Sequence, residues 1–299
     1  MENAASQIAA ERTEDVVLGF TIPDRSGRGR ILRLGDALNA ILAAHDYPAP
    51  IAKLLGEALV LTGLLGSMLK RDEGQTTVQA SAEGGAIDLL VCDYRAGELR
   101  GYLRFDPTLP LSEAPSLRDL VGTGYLAVTI EPSASEERYQ GIVELKGESL
   151  CDAFTAYFDS SEQIPTLLRA DVRWTEDGWH AGGLLLQHLP RGEEGGERLH
   201  AVDTRADWEH LETLGATVTR DELSDPALPL QTLLWRLFHE DEIRVIPAIP
   251  LSRGCRCSVA MIENRLSTLS DEEKAEIRGP NGTVDVDCEF CSRKFTVRV

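Results

Sequence analysis

The chain has 299 residues, 42% of them hydrophobic and 26% charged, and a formal charge of −19. That charge argues against nucleic acid as a partner, since phosphate binding needs clustered Lys and Arg. It favours a protein that stays dissolved and resists self-association.

The segment "MENAASQIAAERTED" carries acidic residues and no apolar core, so it does not read as a secretory signal. "EDVVLGFTI" (14–22) predicts a first strand, and "GRGRILRLG" after a Gly/Asp turn is placed to pair with it. From Leu34 to Lys70 the pattern turns helical, with Leu34, Leu38, Ile41 and Leu42 on one face and Pro50 near the start of a second helix. In "PIAKLLGEALVLTGLLGSMLK" only Ala58 to Leu69 is free of charge, too short to span a bilayer, so a buried helix is expected and no membrane is involved. These features point to a cytoplasmic protein.

Five β-rich runs follow, from "TTVQASA" to "RYQGIVEL", separated by Gly84-Gly85, Ala96-Gly97 and Gly122. They predict adjacent, mostly antiparallel strands. A helical "SLCDAFTAYFDSSEQIPTLLRA" and a hairpin-like "ADVRWTEDGWHAGGLLLQHLP" close the region. Residues 1–190 therefore read as one α+β domain.

"PRGEEGGER" reads as a linker, and residues 191–250 carry 13 acidic against 6 basic side chains. The segment nevertheless predicts two helices. One sets Trp208, Leu211 and Leu214 at helical spacing; the other sets Leu230, Leu233, Leu234, Leu237 and Phe238 on one face. Glu240, Asp241 and Glu242 fall at the end of the second, where the helix dipole disfavours them. Such a helix needs a surface on which to bury its stripe. The reading is either ordinary docking on the first domain or a metastable segment that can be released. "VIPAIPLSRG" then reads as a second joint.

Residues 251–299 hold 8 basic and 8 acidic side chains and four of the six cysteines. The layout is Cys255-x-Cys257, thirty residues, then Cys288-x-x-Cys291. Four thiolates suit a tetrahedral Zn²⁺ with Zn–S of about 2.3 Å. A module of this size with few large apolar residues would draw on the order of 10 kcal/mol of folding energy from the metal. A purely structural zinc ribbon fits this layout. So does a redox device, because each pair is close enough for a local disulfide and oxidation would expel the metal. The intervening "MIENRLSTLSDEEKAEI" predicts a helical run, followed by a "GPNG" turn and a strand. Cys92 in an apolar strand and Cys151 at a helix start read as packing residues. His239 is not needed as a ligand. No nucleotide or nucleophile motif appears, so a catalytic site is not expected. An enzyme or nucleic-acid-associated factor with a structural ribbon is the alternative function.

The C-x-C-S motif, the thirty-residue spacer, "GTVDVDCEFC" and Phe295 resemble the switch of the redox-regulated 33 kDa heat-shock chaperone family. "LLWRLFHEDEIRV", "LLLQHLP" and "DYRAGELRGYLRF" are similar to that family's segments as well. The resemblance implies an ATP-independent holdase for unfolding client proteins. Its reduced, zinc-bound form would be inactive, with Cys255, Cys257, Cys288 and Cys291 as ligands. On oxidation Cys255–Cys257 and Cys288–Cys291 would form disulfides, zinc would leave, 191–250 would lose order, and a homodimer would follow. Residues 251–299 would be the zinc-binding switch domain.

Overall fold

Strand β1 (Val16–Ile22) turns through Pro23–Arg25 into β2 (Gly27–Leu34), and the two pair antiparallel as expected. This computed structural model describes residues 13–69, 74–131, 137–189, 205–279 and 281–298. The linker signal at 190–198 and most of the N-terminal segment read for a leader lie outside the described residues.

Helix α1 (Asp36–Leu42) buries Leu38, Ile41 and Leu42, while Leu34, read as part of that helical face, ends β2. Helix α2 (Ala49–Gly66) carries Pro50 in its first turn, where the missing N–H leaves no bond unmade. Its length and apolarity would suit a membrane, but 14 of its 18 residues are buried inside the fold. It is the core helix between two sheets.

Strands β3 (Gln75–Gly84), β4 (Ile87–Arg95), β5 (Glu98–Phe105), β6 (Gly122–Glu131) and β7 (Tyr139–Glu144) form the first sheet, in the order β5-β4-β3-β6-β7. All of these pairs are antiparallel. The Ala96-Gly97 turn between β4 and β5 has both residues at positive φ, 52° and 85°, a form that matches the twist of a hairpin. A short helix α3 (Leu117–Val121), capped by Ser116 and Asp119, precedes β6 and has no counterpart in the sequence reading.

Helix α4 (Leu150–Tyr157) starts on a second capping box, Ser149 with Asp152. The helical reading of 149–170 fails beyond its π turn at Phe158–Glu162: Thr166–Thr175 is strand β8. Pro165 disfavours helix in the residue before it, and β8 pairs along its whole length with β9 (Gly178–His188).

The second sheet runs β10-β1-β2-β9-β8, all antiparallel. Its edge strand β10 (Arg244–Pro250) falls in the segment read as a Pro-containing joint. Pro247 and Pro250 are tolerated there because an edge strand leaves half its backbone unpaired, and the register shifts opposite Val17/Gly19.

Alternation along these strands divides two cores. Val17, Leu32 and Leu185 face α2. Val16, Leu18, Phe20, Ile31, Leu184 and Leu186 face the opposite way. That outer face is covered by α5 (Arg205–Ala216), α6 (Arg220–Ser224) and α7 (Leu230–Phe238). All five apolar residues of the α7 stripe are buried, worth about 10 kcal/mol gross at about 2 kcal/mol each.

After β11 (Ser252–Arg253), which lies parallel to β5, the chain forms α8 (Val259–Ser267), α9 (Asp271–Ile277) and a hairpin of β12 (Thr283–Asp287) with β13 (Lys294–Arg298). The single helical run read from sequence is split because Ser270 and Glu273 cap a new start. Among the described residues of 251–299, Leu251, Ile262, Val284 and Val297 are the buried hydrophobics. The architecture is α+β with antiparallel sheets and a C-terminal cluster of four cysteines.

Candidate metal centre

The first cysteine pair leaves the edge of the first sheet. Ser252 N–H donates to Gly97 O at 3.0 Å and Gly254 N–H to Leu99 O at 2.8 Å. Gly254 passes so close to Glu98 that a Cβ would lie 2.5 Å from the Glu98 Cβ. Arg256, between the two cysteines, donates to Gln75 Oε1 at 2.7 Å.

The second pair forms the loop of the β12–β13 hairpin. Cys291 and Ser292 both donate backbone N–H to Cys288 O, at 3.2 and 2.7 Å, and Cys288 N–H donates to Arg293 O at 2.9 Å. Ser292 closes the turn at φ 54° and donates its hydroxyl to Ala44 O at 2.6 Å.

The folds of the two loops bring Cys255, Cys257, Cys288 and Cys291 together, all half-buried, with their Sγ atoms within 4.8 Å of one another. Sγ–Sγ distances are 3.3 Å for Cys255–Cys257, 3.6 Å for Cys255–Cys288 and 3.5 Å for Cys257–Cys291. Four sulfurs at about 2.3 Å from one tetrahedral ion would stand about 3.8 Å apart, so these residues fit a metal ion of that kind. The soft donor set suits zinc better than an oxygen-seeking cation.

Without a metal, one sulfur of the four is distinguished. Burial alone would raise Cys255. Hydrogen bonds from the Cys257 backbone and from the thiols of Cys257, Cys291 and Cys288 outweigh it and bring Cys255 to about 7. Burial and the bonds spent on its neighbours push Cys257 and Cys288 up.

Cys92 and Cys151 stand apart from it. Burial pushes both thiols up, with Asp93 and Glu57 adding to it, so neither is a ready nucleophile. His239 stacks on Trp235 and its Nδ1 lies 3.3 Å from Arg236 O, outside the sulfur cluster.

Sequence reasoning missed two sets of contacts. Phe290, inside the second pair, packs edge-on to Tyr102 at 4.9 Å, and the Arg100 guanidinium lies 4.1 Å over its ring. Arg100 is held by Asp93 at 2.5–2.7 Å, and Asp93 accepts from Thr77 at 2.7 Å. An aromatic between paired cysteines, answered by aromatic and basic residues on one strand, was the available signal. The other set centres on Arg33 of β2, fully buried, which donates to the backbone carbonyls of Glu222, Leu223 and Leu228. No periodicity announces it.

An α+β fold with a docked four-cysteine module defines the class of protein. The model of the family described as "Hsp33 protein" matches residues 15–298. The chain is 41% identical over 292 residues to the 33 kDa chaperonin of Caulobacter vibrioides, covering 94% of each chain. It is 38% identical over 283 residues to that of Azotobacter vinelandii, covering 94% and 91%. The crystal structure of a 33 kDa chaperonin, a heat shock protein 33 homolog from Thermotoga maritima, superposes with a TM-score of 0.79 over 95% of both chains at 23% identity. The chain belongs to the Hsp33 family.

Proposed function

We propose that this protein is a redox-switched, ATP-independent chaperone of the cytoplasm that holds unfolding proteins. Cys255, Cys257, Cys288 and Cys291 bind one zinc ion when reduced, and the observation that carries the reading is the meeting of their four sulfurs within 4.8 Å. When bound, zinc supplies folding energy to the module and keeps the thiolates deprotonated.

Oxidation joins Cys255 to Cys257 and Cys288 to Cys291. For each pair, two thiolates, two protons from solvent and one hydrogen peroxide give one disulfide and two waters. The sulfurs then no longer serve as four ligands, and the module at 251–299 loses its main source of order. The linker at 191–250 is the next layer to go. Its helices cover an apolar sheet face lined by Val16, Leu18, Phe20, Leu184 and Leu186. Their release uncovers that face and the α7 stripe together, giving a surface for apolar client segments and for a second copy of the chain. The protein itself catalyses no reaction, and the formal charge of −19 helps keep the client-loaded form dissolved.

The test is to treat zinc-loaded protein with peroxide at mildly raised temperature while following zinc release and light scattering of a thermally unfolding client. Suppression of scattering that tracks zinc release is the expected result. Zinc loss with unchanged client aggregation would refute the chaperone.

A further inference from the structure

Both cysteine pairs are moored to the same strand. The first enters through the Gly254 N–H bond to Leu99 O, and the second rests Phe290 on Arg100 and Tyr102, so three positions of β5 hold the two halves of the centre. β5 thus bears on the spacing between the two pairs. We propose that Arg100 and Phe290 form a clamp that governs how long the four thiolates keep their metal, and that metal loss in turn opens the clamp. This rests on the metal-centre reading above.

Phe290 is held from two directions. The Arg100 guanidinium sits over its face at 4.1 Å, inside the range at which a cation is drawn to a ring, and Tyr102 meets it at 80° in the favoured edge-to-face form. Arg100 is not free to follow a departing ring, because Asp93 grips it at Nε and Nη2 and Thr77 holds Asp93. A metal held by two loops is lost when one loop swings away. The loop at Cys288–Cys291 is tied back by Phe290 and by the Ser292 hydroxyl on Ala44 O. Swinging it therefore means first lifting Phe290 out of its seat.

Contacts of these two kinds together amount to a factor of about 10 to 30 in an equilibrium. Coupling of this sort is reciprocal: if the clamp tightens metal binding by that factor, the metal tightens docking of the loop by the same factor. Arg100 and Phe290 are positioning residues, since neither offers a ligand atom to the sulfur cluster.

The experiment uses the full chain, reduced and loaded with zinc, mixed with excess chromogenic chelator. Phe290→Leu and Arg100→Met should each release zinc about 10-fold faster than wild type, and the double variant no faster than Phe290→Leu alone, because both act through one contact. Arg104→Met, which removes an exposed pair with Asp88 on the same strand, should match wild type. Arg100→Lys keeps the charge and the Asp93 partner and guards against misfolding of the Met variant. It should fall between wild type and Phe290→Leu. Wild-type release rates in Phe290→Leu would overturn the clamp. A wild-type protein that never retains zinc would instead overturn the metal reading. On the reciprocal arm, chelating the metal should raise hydrogen exchange at the Cys291 and Ser292 amides, which the seated loop holds on Cys288 O, by more in wild type than in Phe290→Leu, and equal changes in the two would count against the coupling.

Discussion

Replacing Arg33 with Met should loosen the helical layer at 205–238 while leaving the α2 core intact. Four carbonyl oxygens accept from this one buried guanidinium, that of Thr13 and three in the helical layer, of Glu222, Leu223 and Leu228. Each charge-assisted bond is worth about 1.5–3 kcal/mol, so the three in the layer contribute about 5–9 kcal/mol gross. No salt bridge pairs Arg33 with a carboxylate among the described residues, so several kcal/mol of that offsets the cost of burying the charge. Burial lowers Arg33 only to about 10, so it stays cationic at neutral pH. Met fills the space but leaves these acceptors unpaired. A net loss of about 3–5 kcal/mol follows, equivalent to a rise of about 150- to 5,000-fold in the opening equilibrium. Native-state hydrogen exchange reads it: amides of α6 and α7 should exchange faster by that factor and those of α2 should not change. Wild-type protection of α7 in Arg33→Met would mean that the apolar interface alone holds the layer, and the reasoning would fail.

The same layer can be pushed from beneath. A Cβ on Gly182 of β9 would collide with the Leu223 carbonyl, so Gly182→Ala should cost about 1–3 kcal/mol and raise α6 exchange without touching β12 or β13. Cys288→Ser combined with Cys291→Ser should abolish retention of one zinc per chain, measured after gel filtration; a double variant that still binds one equivalent tightly would overturn the ligand assignment. Glu57 gives a pH test. Burial raises its carboxyl, against hydrogen bonds from the Leu150 and Cys151 amides, so the fold favours its neutral form. Its contribution is full below the ordinary carboxyl range and fades as pH rises through the raised value. Glu57→Gln should therefore match wild type in urea midpoint near pH 3.5 and gain on it toward pH 8; a constant gap would refute the buried acid.

The parts of the fold legible in the sequence are those whose physics is local. The cysteine hooks announce themselves because the members of each pair stand within three residues of one another along the chain. The α7 stripe does so because a helix repeats every 3.6 residues. Strands β8 and β10 read as helix and as joint because their identity comes from partners far along the chain. Thr166–Ala170 becomes a strand by pairing with Gly183–Gln187, and the prolines of β10 are admissible because the strand lies at an edge. Arg33 and Phe290 share this blindness, since each is explained by residues about 190 positions away.

The charge of the 205–250 segment shows the same dependence on distant partners. Asp241 stands at the end of α7, where the helix dipole disfavours a carboxylate, so the isolated segment is penalised for carrying it. In the fold, Arg25 of the β1–β2 turn grips Asp241 at 3.1 Å and Asp207 of α5 at 3.0 Å, and His210 meets Asp241 at 2.9 Å. Burial opposes ionisation of Asp241, but His210 and Arg25 outweigh it and hold its carboxyl below the usual range. The same carboxylate that weakens the helix alone strengthens it when docked. A helical layer built this way draws much of its stability from the sheet beneath it, through Arg25 and Arg33 as well as its apolar stripe, because helices this short are marginal in water by themselves.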